Sequence, residues 1–445
     1  MTPANNTRFV GPRSYSDRDL IEACPFLADL VGEGAWRDAA AGTPADEPWD
    51  EGGLTPSLSV FRREFRKISH DAERALLILR RLRVKTLLAL ARADLEDRVK
   101  PHQLRARLKG LSEVLVQGAW LLAENGLRER YVHPLILERR NINPPLAICS
   151  LSRLGAGEPW YTTGPAPIFV HSRAAEFAPA LTEKDFAAAR RSGKEWPPAR
   201  DYFHRLARRT MSFLSVPDPA GKGFDHMAED YAPDRVPILP GALVVLFSAF
   251  EEHFSGRRPV KERLALLRLR FLVGQDRLGR AVEAAARGIL LRTAAELGSR
   301  LKAGLNAWYR DRAVSEGLPL TRGGLLDIER GVRLVQFRHA AADPKFLEPS
   351  PLKSLDALTE AGVINGDERL ILTRSYAWQW FLVNRMALLG RRAGLDREAL
   401  GSGRLDAALG LEGASERTIR MMKSAQGVLS GLVRETGRER AALTL

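Results

Sequence analysis

The stretch "NINPPLAICSLSRLGAGEPWYTTGPAPIFVHS" does most to constrain how this chain can fold. Pro144 and Pro145 cannot continue a helix, because neither has a backbone donor and each restricts the residue before it. The apolar run "LAICSLS" that follows is short and enters glycines, the pattern of a buried strand leading into a turn. "APIFVHS" reads as a second strand. Pro165 just before it and Pro167 within it stand two residues apart and remove donors from one edge, so full pairing is expected on one side only.

Elsewhere the helical period dominates. Leu87, Leu88, Ala91 and Leu95 recur at one-turn spacings with charged residues between them. "RDYFHRLARRTMSFLS" reads as a helix, and "GFDHMAED" as a strand or strand end. After "ERLALLRLRFLVGQD" the helical pattern returns in "LGRAVEAAARGILLRTAAELGSRLKAGLNAWYRDRA", "LLDIERGVRLVQFRHA", "SLDALTEAGVI" and "ERLILTRSYAWQWFLVNRMALLGRRAG". Short loops join these segments, as in a helical bundle. The expected class is α+β and predominantly helical, a mixed sheet flanked by helical bundles. The expected divisions are a helical start and linker over 1–59, a helical domain over 60–140, an α/β domain over 141–275 and a helical bundle over 276–445.

The formal charge of +14 comes from arginines interleaved with leucines, which suits solvated faces of amphipathic helices. No recognisable nucleic-acid module accompanies them, so nucleic acid is an unlikely partner and basic nucleic-acid binding is kept only as a third alternative. Cys24 and Cys149 are the sole cysteines and support neither a disulfide framework nor a zinc site. The start "MTPANNTRFVGPRS" lacks the apolar stretch of a signal peptide, and "VPILPGALVVLFSAF" is too short and proline-rich to span a bilayer. A cytoplasmic protein is expected. In "RRSGKEW" Ala188 stands where a Walker loop needs its first glycine, and Trp378 and Trp380 read as bundle core.

Leu146 to His171 aligns without a gap to F-A-V-I-A-L-G-K-L-G-G-R-E-L-N-Y-S-S-D-I-D-L-I-F-V-Y, with Ala147, Leu151, Leu154, Gly155, Glu158, Tyr161, Ile168, Phe169 and Val170 identical. "YFHRLARRTMSFLS", "GALVVLFSAFEEHF", "RGGLLDIERGVRLVQFRH" and "SYAWQWFLVNRMALL" match further motifs in the same order, keeping Gly323, Gly324, Asp327, Glu329, Tyr376, Asn384 and Arg385. As a set these segments resemble the bacterial glutamine-synthetase adenylyltransferase/adenylyl-removing family. The resemblance covers about residues 74–389. Family enzymes carry two such modules in tandem, and this chain has the length of one.

The resemblance implies a DNA-polymerase-β-like nucleotidyltransferase sheet, with ATP as substrate and Mg²⁺ held by three carboxylates. It places Gly164 and Ala166 at the paired carboxylates and Met227 at the third, so the implied metal ligands are missing. Asp225, Glu229 and Asp230 are the only acidic substitutes near the third position. Gly155, Glu158, Tyr161, Thr162 and Thr163 are what is left of the nucleotide-binding segment. Asp327 and Glu329, after Gly323 and Gly324, suit either helix capping with domain docking or contact with a nucleotide or regulatory partner.

Taken with the resemblance, these positions imply a catalytically inactive regulatory or docking module in nitrogen-metabolism control. Its implied partner is glutamine synthetase, a PII-type signal protein or an active paralogue. The alternative is an adenylyl-transferring or adenylyl-removing enzyme that uses unconventional metal ligands.

Overall fold

The computed structural model describes residues 8–9, 16–25, 27–28, 65, 71–131, 146–161, 164–172, 187, 191–195, 197, 199–215, 243–255, 259–297, 300–316, 321–389, 406 and 411–442. The fold is α+β and predominantly helical around one small mixed sheet. Its elements in chain order are β1 (Arg8–Phe9), α1 (Asp17–Ala23), α2 (Ala72–Leu95), α3 (Pro101–Arg128), β2 (Leu146–Ser150), β3 (Pro167–His171) and α4 (Ala199–Ser215). There follow β4 (Val244–Leu246), α5 (Phe247–Ser255), α6 (Val260–Ala265), β5 (Arg270–Gly274), α7 (Asp276–Leu297), α8 (Leu301–Glu316) and α9 (Leu325–Ala340). Last come α10 (Pro351–Glu360), α11 (Gly366–Leu388), β6 (Leu411–Glu412) and α12 (Ala414–Ala442).

Every residue of β2 is buried, as "LAICS" suggests for a strand covered on both faces. The strand order is β4-β3-β2-β5. β2 pairs antiparallel with β3 and with β5, and β3 pairs parallel with β4. The β2–β5 register shifts between Ile148 and Cys149, leaving Leu272 of β5 as the extra residue of a bulge in β5.

The expectation that the proline-bearing strand pairs fully on one side only holds: all five residues of β3 pair with β2, and three pair with β4. Some pairing on the second edge is possible because Pro165 precedes the strand and Pro167 is its first residue. β4 joins only at Phe169, two residues beyond the last missing donor.

α7 packs across β2 and β5, α3 against β5 and α4, and α4 against β4. The sequence pattern running through "AAELGSRLKAG" is broken into α7 and α8. β5 is a strand that the leucine-rich segment before it disguised as helix. Trp378 and Trp380 are buried as expected, the former donating through Nε1 to Thr418 Oγ1 at 2.9 Å. Buried apolar residues form one continuous core from Leu20 to Leu432. The segment "GFDHMAED" lies outside the described residues.

Candidate functional site

The turn after β2 is shaped by its own side chains. Ser150 Oγ accepts from the Ser152 amide at 3.3 Å, and Ser152 Oγ accepts from the Leu154 amide at 3.1 Å. The Gly155 amide donates to Ser152 O at 3.0 Å, and the Gly157 amide to Leu154 O at 3.0 Å. The amides of Ser152, Leu154, Gly155 and Gly157, donors of the kind a phosphate cradle presents outward, are therefore engaged within the turn. Gly155 is required for another reason. A Cβ there would lie 1.8 Å from the Arg268 carbonyl oxygen, so the chain passes too close to the approach to β5 for any larger residue.

Arg153, the cation of this turn, is only 3% exposed and points away from solvent. Its guanidinium stacks 3.9 Å from the Trp160 ring centroid and donates to Glu329 Oε1 on α9 at 2.9 Å. Arg312 on α8 donates to Glu329 Oε2 at 2.8 Å, and Arg268 does so at 3.3 Å. Tyr376 on α11 donates to Oε1 at 3.1 Å. Burial alone would raise the pKa of Glu329, but the guanidiniums of Arg153, Arg312 and Arg268 override it and hold the carboxyl well below its ordinary range.

Glu158 extends the cluster. It accepts from Arg105 on α3 at 3.3 Å and from Ser350 Oγ at 2.9 Å. Burial outweighs Arg105 here and pushes the Glu158 pKa up. Arginines outnumber carboxylates in this region, and aromatic faces take up part of the excess charge. Arg312 lies 4.8 Å from the Tyr309 centroid and Arg105 lies 5.0 Å from that of Trp380.

Tyr161 forms a second junction. Its amide donates to Asn384 Oδ1 at 3.2 Å and its hydroxyl to Asp94 Oδ2 at 3.2 Å. Arg385 on α11 donates to Asp94 and Asp97 at the end of α2. Burial raises the Asp94 pKa in spite of Arg385. The chain entering the next segment is thus fastened to α2 and α11 together.

Gly164 and Ala166 sit just before β3 and supply no side-chain donor; Ala166 has a positive φ of 36°. Thr162, Thr163, Met227, Asp225, Glu229 and Asp230 lie outside the described residues. No group of three or more His, Cys, Asp or Glu among the described residues is arranged to hold a metal ion. The donor set at the two positions before β3 does not fit Mg²⁺, and the self-bonded turn with its inward Arg153 does not fit a triphosphate.

The family model for glutamate-ammonia ligase adenylyltransferase matches residues 57–285, just over half of the chain. The chain belongs to this family. The match takes in the sheet, the turn after β2 and the helices packed on them. The groups that clasp that turn from α8, α9 and α11 lie beyond its end.

Within this member of the family, Gly155 and Glu158 lie beside the Glu329 cluster, while Tyr161 belongs to the separate junction with Asp94 and Asn384. Asp327 stands apart. It accepts from the Gly323 amide at 2.8 Å and pairs with Arg330 at the start of α9. Gly323 has a φ of 73°, and a Cβ there would meet Met422 O at 2.0 Å; Gly324 is the N-cap of α9. Arg268, Arg312 and Asp94 were not singled out in the sequence. Asp94 alone left a local signal, a carboxylate lying on the apolar stripe between Ala91 and Leu95.

Among the described residues no helix is long and apolar enough to cross a membrane.

Proposed function

We propose that this chain keeps the scaffold of the glutamate-ammonia ligase adenylyltransferase family without its nucleotidyl transfer, and serves in the cytoplasm as a regulatory or docking member of nitrogen-metabolism control. One observation carries the reading. The retained motif residues Glu158, Tyr161 and Glu329, with Arg153 where the motif has lysine, are spent on buried contacts between sheet and helices, while Gly164 and Ala166 occupy the places of the family's paired carboxylates. Glu329 fits the docking role, and Asp327 that of a cap.

Glutamine synthetase, the protein that the family's name identifies as the substrate, is the first partner to test, followed by a PII-type signal protein and an active adenylyltransferase of the same family. Each is titrated against the immobilised full chain by biolayer interferometry. Saturable binding of at least one, unchanged by ATP and Mg²⁺, is expected. Absence of binding by all three contradicts the docking reading.

A further inference from the structure

A cavity of about 380 Å³ opens among α8, the start of α9 and α12, away from the turn after β2. Its size falls in the range of small-ligand sites, roughly 300–1,000 Å³. Leu305, Leu334 and Leu429 form an apolar wall, each buried. Facing it are Lys302, Arg322 and Arg330.

Two of these cations are not neutralised by the described residues around them. Lys302 and Arg322 make no ion pair or hydrogen bond with any described residue. Arg330 is held in place, its Nη1 donating to Asn306 Oδ1 at 2.8 Å and its Nη2 to Asp327, while its Nε is buried without a described partner. Among the described lining residues Asp327 is the single carboxylate, so the three cations there leave an excess of two positive charges. Gln426 and Ser430 on α12 add neutral hydrogen-bonding groups at the rim.

An anion carrying two charges and a compact apolar body satisfies both the charge and the wall. A phosphate monoester has that form, with three oxygens for forked guanidinium donors and an ester group for the leucines. We infer that this cavity is a binding site for a small phosphate monoester, with Arg322 and Lys302 as its mobile anion contacts and Arg330 as the fixed one. The inference does not depend on the proposed loss of nucleotidyl transfer.

Isothermal titration calorimetry on the full chain tests it, with phenyl phosphate, inorganic phosphate and phenol as probes at low salt. Phenyl phosphate is expected to bind once per chain and more tightly than either other probe. The K302A/R322A double variant, whose changed side chains are exposed, is expected to retain its thermal midpoint and to bind phenyl phosphate about tenfold or more weakly. R208A, which removes an exposed arginine on α4, is expected to bind as the wild type does. The site assignment is overturned by equal binding in K302A/R322A or by no binding of either phosphate. Equal affinity for inorganic and phenyl phosphate, or for phenol and phenyl phosphate, overturns the monoester assignment.

Discussion

At the scale of single residues, Glu329 concentrates the energetics of the interior. One carboxylate answers Arg153, Arg268 and Arg312 with all four groups out of water, and removing one member of a buried ionic cluster leaves the others uncompensated. Glu329→Gln is expected to lower the unfolding free energy by about 3–5 kcal/mol in urea titrations at neutral pH. Glu158→Gln is expected to cost less, because burial already favours the uncharged form of Glu158. The pH dependence separates the two. The folded pKa of Glu329 lies below its unfolded value, so its contribution is full above the ordinary glutamate range near ~4.3 and is lost as the pH falls through the folded value. The gap between wild type and Glu329→Gln is therefore expected to stay constant down to about pH 5 and to close in stronger acid. Glu158 has the opposite sign, so Glu158→Gln gains on the wild type as the pH rises through the raised folded value. Glu158, Tyr161 and Glu329 were legible in the motif. Arg268 and Arg312 were not, because an arginine among leucines reads as a solvent face until a carboxylate from 61 or 17 residues away reaches it.

At the scale of elements, the turn after β2 is fixed by close approach. Gly155→Ala drives a methyl group against the backbone before β5, and the expected cost lies at the upper end of the about 1–3 kcal/mol typical of overpacking. A urea midpoint within error of the wild type contradicts the close packing described here. β2, α4, α9 and α11 were readable because period and flanking prolines or glycines agreed. β5 was hidden because "LRLRFLVG" continues the leucine-arginine rhythm of the helix before it. What makes it a strand is pairing with β2, more than a hundred residues away in sequence. The prolines at the start of β3 pointed to full pairing on one side only, and the sheet complies by starting the β4 ladder beyond them.

At the scale of the molecule, the sheet and the later helices share one core and are tied by two buried polar junctions. A chain ended at residue 285 retains the sheet but lacks Arg312, Glu329, Tyr376, Asn384 and Arg385. It is expected to lose the single cooperative unfolding transition followed by circular dichroism, and a wild-type-like transition in that fragment contradicts the shared core. The same contacts engage Glu158 and Tyr161, two of the residues that the resemblance places in the nucleotide-binding segment. The most direct test is to incubate the purified chain with glutamine synthetase, labelled ATP and Mg²⁺ and to measure label on glutamine synthetase. The expected result is none above the blank without the chain; Mg²⁺-dependent label that disappears in the D225A/E229A/D230A variant would contradict the loss of transfer.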